Sequence, residues 1–394
     1  MKKKVLSLVL SAAMVLSMTA CGSSSETTAT AEAEAPAAAT EAVAATETAE
    51  AATETATATQ DGKIAMITDS GDITDESFNQ ITWETVCAYG DANGIEYAYY
   101  KPADDTDEER INSIDLAIAE GATVVVMPGY LFGPAIAVEE NLYPEVDFIA
   151  VDVTEGDLVD LDGNAAELAS NVYLCSFQEE QAGYLAGYAA VKDGYTDLGF
   201  LGGIAVPAVI RYGYGYIQGI NDAAEELGVD VNVNYFYGGQ FYGDENITAR
   251  MEGWYSEGTQ VVFACGGGIY TSAEEAAANH DGKIIGVDVD QHSKIGDECI
   301  TSAMKRLDTA VNSALDAYFT GNWASIGGKS EQLGLSQGDY IGLPTDDASW
   351  GFTTFTKDEY ETVLAGLKDG SIEVSNDTEN KPEVGSHVTV NYIE

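Results

Sequence analysis

One run of residues, ATVVVM at 122–127, restricts the possible folds of this chain more than any other feature. A strand that is apolar at every position has both faces covered, which is typical of the centre of a parallel sheet with helices on each side. Pro128 and Gly129 end the run, and a helix pattern follows at 134–141. The run therefore predicts an α/β fold.

The same alternation of strand and helix patterns continues through residues 63–394 in two successive series. Strands are predicted at 63–68, 95–100, 122–127 and 147–151, then at 197–202, 231–237, 260–265 and 283–288. Helices are predicted at 77–92, 107–120, 134–141, 176–192, 208–227, 244–257 and 271–279. Two series of this kind predict two doubly wound, Rossmann-like α/β lobes with a hinge.

The last third of the chain predicts how the lobes exchange segments. An extended run at 299–304 precedes a helix pattern at 307–320 and two strand patterns at 331–336 and 339–343. We therefore expect about three crossings between the lobes. The predicted N-terminal lobe comprises 63–172 plus 303–329, and the predicted C-terminal lobe comprises 173–302 plus 330–394.

The N-terminal residues have the pattern of an export signal. Lys2, Lys3 and Lys4 precede an apolar stretch at 5–20, and that stretch ends in small residues before Cys21. The ending resembles a bacterial lipobox, so we expect a signal peptide at 1–20 and an acylated Cys21; an ordinary cleaved signal is the alternative. Residues 21–62 are rich in Ala, Thr and Glu, with eight acids and no base, which predicts a disordered tether.

The charge of the remaining residues excludes one class of function. The chain has 66 acids and 17 bases, and the tether and signal hold eight of these acids and three of these bases, so residues 63–394 keep a net charge of about −44. A protein that binds nucleic acid needs Lys and Arg against the phosphates, so no nucleic-acid partner is expected.

Cysteine and histidine spacing does not predict a metal site. Besides Cys21, four cysteines are scattered through the chain, and with only three histidines no cluster has the spacing of metal ligands. We expect Cys265 and Cys299 to be buried free thiols because they lie in apolar runs. No nucleophile elbow, zinc-protease helix or Walker loop occurs either, so we expect neither catalytic residues nor a cofactor.

Loops that follow the predicted strands contain glycines, aromatic residues and acids. In doubly wound sheets a ligand binds beyond the carboxyl ends of the strands, and two facing lobes place these loops around one cleft. The loops that fit this description follow five strands: 69–79, 128–130, 203–212, 266–270 and 288–291. Together they predict an interlobe site for a small molecule with a flat ring and hydroxyl groups.

Four motifs in these loops resemble those of the basic membrane protein family, whose members are related to bacterial purine nucleoside receptors. The motifs are ITDESFNQ at 73–80, the segment from Gly202 through Pro207 to Tyr212, GVDVDQ at 286–291, and TSAMK at 301–305. They occur in the family's order and spacing, and the resemblance covers essentially all of 63–394. It implies a type I periplasmic-binding-protein-like fold and a substrate-binding protein of an ABC importer.

The resemblance also implies roles for individual residues. Phe78 would stack on one face of a nucleobase and Tyr212 on the other, while Asp75 and Asn79 would form hydrogen bonds with the ligand. Asp288 matches an acid that binds ribose hydroxyls, and Lys305 matches a lysine near the ligand. Structural alternatives remain open: Phe78 could staple a helix start to the core, Asp288 could cap a turn, and Lys305 could pair with an acid.

The expected partners are a purine nucleoside or similar ligand, the ABC permease subunits, and the membrane through the lipid anchor. The expected location is the extracytoplasmic face of the cell membrane. A ligand-sensing lipoprotein of a signalling system would use the same binding chemistry, so it remains an alternative. An exported nucleoside or sugar hydrolase is a further alternative, since paired carboxylates could serve hydrolysis.

Overall fold

The computed structural model describes residues 60–394. The predicted signal peptide, Cys21 and the tether up to residue 59 lie outside these residues. Strands β1 to β5 are Lys63–Ile67, Glu96–Tyr100, Val124–Pro128, Asp147–Val151 and Val172–Phe177. Strands β6 to β10 are Asp197–Gly202, Val231–Tyr237, Val261–Cys265, Lys283–Asp288 and Cys299–Lys305. Strands β11 to β13 are Lys329–Leu333, Ile341–Gly342 and Val388–Ile393.

Ten α-helices lie between these strands in the described residues. Helices α1 to α5 are Phe78–Asn93, Asp107–Ala119, Gly133–Leu142, Glu179–Lys192 and Pro207–Leu227. Helices α6 to α10 are Glu245–Ser256, Tyr270–His280, His292–Ile295, Leu307–Phe319 and Lys357–Asp369. Short 3-10 helices occur at Tyr130–Phe132, Glu155–Asp157, Gly296–Glu298 and Trp323–Ser325. No helix in residues 60–394 is both long enough and apolar enough to cross a membrane.

The strands form two sheets, and each sheet is the centre of one lobe. The first sheet has the order β11-β5-β4-β3-β1-β2, and all its pairs are parallel. The second sheet has the order β12-β10-β9-β8-β6-β7-β13, and only the pair of β12 with β10 is antiparallel. The predicted α/β fold with two lobes is confirmed.

Helices cover both faces of each sheet, as the apolar runs require. In β3, Val124 and Val126 pack into the core on the side of α1 and α9, whereas Val125 and Met127 pack on the side of α2 and α3. In the second sheet, Phe263 of β8 faces the α4 and α5 side, and its neighbour Val262 faces α6 and α7. Successive residues of a strand point to opposite faces of the sheet, so a strand without polar residues needs helices on both faces to keep it from water.

Within residues 60–394 the chain passes between the two lobes three times, and each passage lies later in the chain than the predicted boundary. All of β5 pairs within the first sheet, although residues 173–177 were predicted in the second lobe. All of β10 pairs within the second sheet, although 303–305 were predicted in the first. Likewise β11 pairs with β5, although residues from 330 were predicted in the second lobe. These differences arise because periodicity reports that a strand is buried but not which sheet it joins.

Candidate functional site

A cavity of about 570 Å³ lies between the carboxyl ends of the strands of the two sheets. Loops after β1, β2, β3 and β4 line it from the first lobe. Loops after β6, β7 and β8, the start of α5 and the last residues of β9 and β10 line it from the second. All six residues predicted to bind the ligand line this cavity: Asp75, Phe78, Asn79, Tyr212, Asp288 and Lys305. Such a cavity is large enough for a small metabolite.

Asp75, in the loop after β1, and Asn79, in the first turn of α1, are bonded mainly to the protein itself. The Asp75 carboxylate accepts hydrogen bonds from the backbone N–H groups of Ser77, Asn79 and Gln80, at 3.0 to 3.1 Å, and so satisfies the first turn of α1. The Asn79 side-chain amide donates to Asp75 Oδ2 at 3.0 Å and to Asp69 Oδ1 at 2.9 Å. These bonds fix the loop and therefore the position of Phe78, the first residue of α1.

Asp69, which was not predicted as a site residue, also lines the cavity. Burial raises the pKa of Asp69 to about 6, against the opposing effect of hydrogen bonds from Gly71 and Asn79. Across from it, Gly129 has φ of 131°, and a Cβ there would come within 2.9 Å of the Asp69 Cβ. Only glycine allows both this backbone conformation and this approach of two loops.

Asp152, Asp288 and Lys305 form one end of the cavity, which is called its floor. Asp288 is the last residue of β9. Its backbone has φ of 63°, a left-handed conformation that is costly for a residue with a side chain. Its Oδ2 accepts a hydrogen bond from Ser77 Oγ at 2.6 Å, across the two lobes, and its Oδ1 accepts one from Tyr212 Oη at 3.3 Å. Burial raises the pKa of Asp288, while Lys305 and the Ser77 hydroxyl oppose this effect.

Lys305 ends β10 and places its ammonium group beside three buried carboxylates. Its Nζ donates to Asp152 Oδ2 at 2.5 Å and to Glu179 Oε1 at 3.1 Å, and lies 4.0 Å from Asp288 Oδ1. Burial disfavours the charged ammonium, but these three carboxylates more than compensate and raise the pKa of Lys305 above its ordinary value. The side chain also lies 4.8 Å from the centre of the Phe78 ring, within range of a cation–π contact.

Asp152, Glu179 and Arg211 complete this buried ion network, and the sequence reasoning missed all three. Asp152 follows β4 with φ of 62°, and its Oδ1 is buried without a hydrogen-bond partner among the described residues. Burial raises the pKa of Asp152 to about 7, although Lys305 favours its ionised form. Glu179 Oε2 accepts a hydrogen bond from Arg211 Nε at 2.6 Å. Burial opposes the ionised form of Glu179, yet Arg211 and Lys305 hold its pKa below its usual range.

A signal for Asp152 was present in the sequence. It directly follows a predicted strand, at the same sheet edge as the other loops, but the loop after 147–151 was not included among the expected site loops. Glu179 lies inside a helix pattern with no motif around it, and Arg211 lies within the motif segment 202–212 without a role assigned to it. Only the tertiary structure brings Glu179 to Lys305 and Arg211 to Glu179.

Five aromatic residues line the cavity: Phe78 and Tyr130 from the first lobe, and Tyr212, Phe241 and Tyr242 from the second. Phe78 is partly buried and comes from the first lobe. Tyr212 is only 2% exposed, packs edge-on against Phe263 with ring centres 5.9 Å apart, and so presents little surface to the cavity. Phe241, which was not predicted, is partly buried in the loop after β7 and lines the cavity. A Cβ at Gly203 would lie 2.5 Å from the Phe241 ring, so this glycine makes room for the ring.

The two lobes contact each other beside the cavity. Besides the Ser77–Asp288 hydrogen bond, Gln291 Nε2 donates to the backbone oxygen of Glu76 at 3.1 Å. Lys294 Nζ forms an ion pair with Glu76 Oε1 at 2.9 Å. The structure therefore represents a closed arrangement of the lobes, in which the cavity walls of both lobes face the same space.

Thiols and metal-binding groups contribute little to the chemistry of this site. The four cysteines among residues 60–394 are free; Cys265 is buried and lines the cavity, and burial raises the pKa of its thiol. Within the same residues, no group of His, Cys, Asp and Glu side chains is arranged to hold a metal ion. The cavity offers aromatic faces, buried carboxylates and one buried ammonium, which are groups suited to non-covalent binding.

Comparison with known proteins identifies relatives along most of the chain. Residues 63–375 match a family described as ABC transporter substrate-binding protein PnrA-like. The ABC transporter nucleoside-binding protein BmpA of Lactococcus lactis is 27% identical over 336 residues, which are 80% of this chain and 89% of that protein. Basic membrane protein B of Borreliella burgdorferi is 28% identical over 287 residues, covering 72% of this chain and 80% of that protein.

A solved structure supports the fold. A solute-binding protein of an ABC transporter system from Aeropyrum pernix K1 superposes with a TM-score of 0.69 and 19% identity. The superposition covers 80% of this chain and 93% of that one. At this level of identity the likeness concerns the fold alone.

Proposed function

The chain belongs to the PnrA-like family of ABC transporter substrate-binding proteins, and we propose that it binds a purine nucleoside in the cavity between its two lobes. The family membership confirms the resemblance to basic membrane proteins. It also shows that the chain is an extracytoplasmic substrate-binding protein and not an enzyme. The nucleoside is supported by the name of the Lactococcus lactis relative and, above all, by the combination of aromatic walls with a floor of carboxylates and a lysine.

The base would lie between aromatic rings from opposite lobes. Phe78 supplies the ring on the first lobe, and on the second lobe Phe241 is more accessible to a ligand than Tyr212. A base stacked on an aromatic side chain gains about 1–3 kcal/mol for each such contact. Because the two rings come from different lobes, the base can contact both only when the lobes close, which couples binding to the shape that a permease recognises.

The sugar would lie at the floor, against Asp288, Asp152 and Lys305. Asp152 Oδ1 is a buried acceptor without a partner among the described residues, so a ligand hydroxyl would satisfy it. The Lys305 ammonium can donate a hydrogen bond to a hydroxyl oxygen, and the carboxylates can accept a hydrogen bond from the same hydroxyl group. A ribose presents several such hydroxyls within a small volume, which a free base lacks.

The charge of the lining favours a nucleoside over a nucleotide. Two basic residues, Lys101 and Lys305, line the cavity, and each forms an ion pair with a carboxylate. Six aspartates line it: Asp69, Asp72, Asp75, Asp105, Asp152 and Asp288. A phosphate group would face this excess of negative charge without a free arginine or lysine to bind it.

We further propose that the protein is exported by the signal at 1–20, acylated at Cys21 and held outside the membrane by the tether at 21–62. This proposal rests on the sequence alone. The tether has no periodic apolar face and no base among its residues, so it would act as a solvated spacer. The tethered domain would then deliver ligand to the permease subunits of an ABC importer.

The most direct test identifies the ligand. Purified protein is denatured, and the released small molecules are identified by mass spectrometry. Calorimetry then compares adenosine and inosine with adenine, hypoxanthine and adenosine monophosphate. We expect the ribosides to bind more tightly than the bases and the monophosphate. Binding of a sugar or amino acid with no response to nucleosides would refute the proposed ligand.

A further inference from the structure

The buried ammonium of Lys305 has to be held in one position to donate hydrogen bonds to a ligand. Of the two lysines that line the cavity, Lys101 has a half-exposed side chain and pairs with Asp72, whereas Lys305 is 3% exposed. A lysine side chain has four rotatable carbon bonds and no rigid fork, so its ammonium is placed only by the groups around it. The carboxylates that surround Lys305 therefore decide where its donors point.

These carboxylates differ in whether a ligand can compete for them. Asp152 and Asp288 line the cavity, so a bound ligand would share their oxygens. Glu179 is fully buried at the start of α4, behind the residues that line the cavity, and contacts Lys305 Nζ at 3.1 Å. The Glu179–Lys305 contact can therefore persist unchanged when a ligand binds.

Glu179 is itself held by a second cation. Arg211 Nε donates to Glu179 Oε2 at 2.6 Å, and Arg211 lies on α5 with 8% of its surface exposed. The two Glu179 oxygens thus contact two different cations, one from α5 and one from β10. Removing one member of such a buried ion group leaves the others with an uncompensated charge.

We propose that Glu179 is a positioning residue for the ligand: it fixes the Lys305 ammonium at the cavity floor, so recognition of ligand hydroxyls depends on Glu179 although it does not touch the ligand. The inference rests on the proposed function, because it names ribose hydroxyls as the groups that Lys305 contacts. It assigns Arg211 the same indirect role, through Glu179.

The test separates positioning from general support of the fold. Binding of adenosine and of 2′,3′-dideoxyadenosine is measured by calorimetry for wild type, Glu179→Gln, Lys305→Met and the double variant. The dideoxy compound keeps the base but lacks the two hydroxyls. We expect Glu179→Gln to weaken adenosine about tenfold, the effect of one charge-assisted hydrogen bond, and to leave the dideoxy compound within about twofold of wild type.

Two further results follow if Glu179 acts through Lys305. The double variant should bind adenosine no more weakly than Lys305→Met alone, because the effects of residues that act as a unit do not add. Glu180→Gln is the matched control: Glu180 is the next residue of α4, is 2% exposed, and lies outside the cavity lining. This variant should keep the wild-type ratio of the two affinities. Should Glu179→Gln fail to fold, Arg211→Lys tests the same series of contacts. It should also lower the affinity for adenosine relative to that for 2′,3′-dideoxyadenosine.

Each adverse outcome has a distinct meaning. Equal loss of both ligands in a folded Glu179→Gln, or additive losses in the double variant, would overturn the positioning role while leaving the nucleoside proposal intact. If wild type binds neither compound, the proposed function fails, and this inference fails with it.

Discussion

The hydrogen bond between Ser77 and Asp288 is the contact through which lobe closure can be tested most directly. Ser77 Oγ belongs to the first lobe and Asp288 Oδ2 to the second, and the two atoms lie 2.6 Å apart between two buried residues. Replacing Ser77 by Ala removes the donor and leaves the carboxylate in place. We expect Ser77→Ala to destabilise the closed state without disturbing either lobe.

The size of the effect follows from the charge and burial of this bond. A hydrogen bond to a charged, buried group contributes about 1.5–3 kcal/mol. If the ligand binds tightly only to the closed state, that free energy shifts the closing equilibrium and lowers the apparent affinity about tenfold to a hundredfold. The serine hydroxyl also lowers the pKa of Asp288. Loss of the hydroxyl should therefore raise the pKa of Asp288. When the solution is acidified, the variant should then lose affinity at a higher pH than wild type does.

Calorimetry with adenosine measures the affinity, and stopped-flow mixing shows whether the loss lies in the dissociation rate, as expected for a weakened closed state. Thr85→Val is the control, because the Thr85 hydroxyl donates to Ile81 O inside α1, at 2.7 Å, and joins no lobes. It should bind like wild type. A Ser77→Ala variant that binds adenosine with wild-type affinity and dissociation rate would refute the view that this bond holds the closed complex together.

Other predictions concern stability, the cavity wall and the anchor. Glu139 is fully buried with both carboxylate oxygens unpartnered among the described residues, and burial raises its pKa from 4.5 to about 7. The folded state therefore binds the Glu139 proton more tightly than the unfolded state does. Burial of the ionised carboxylate destabilises the folded state fully above about pH 7, and this destabilisation decreases as the pH falls toward 4.5. In urea denaturation, Glu139→Gln should therefore have a higher free energy of unfolding than wild type, and this difference should be about 2–3 kcal/mol larger at pH 8.5 than at pH 5. The same difference at both pH values would contradict this reasoning. Phe241→Ala should weaken adenosine about tenfold to a hundredfold in calorimetry without lowering the melting temperature, whereas unchanged affinity would exclude it from the stacking wall. Cys21→Ser should release the protein from membranes into the medium, and a variant that stays in the membrane fraction would disprove acylation at this residue.

The local pattern of the sequence predicted most strands and the sheet edge where they meet, but it missed β5, whose last two residues were predicted as the start of a helix. Every strand predicted between 63 and 288 is present, with small shifts at its ends. The reason is that a parallel strand buried on both faces needs an apolar side chain at every position, and residues 124–127 satisfy this by themselves. Because parallel strands end at one edge of a sheet, the loops that follow them could be assigned to one cleft, and the six predicted residues do line one cavity.

Tertiary pairing decided what periodicity could not. The run at 299–305 is equally apolar for either sheet, and only its hydrogen bonds with β9 and β12 place it in the second lobe. The same holds for β13, at Val388–Ile393, which pairs with β7 but was not predicted. Glu179 meets both Lys305 and Arg211 because α4, α5 and β10 converge in space, although nearly a hundred residues of chain separate Arg211 from Lys305. A sequence pattern reports how each segment is buried, whereas the partners of a buried charge depend on which segments the fold brings together.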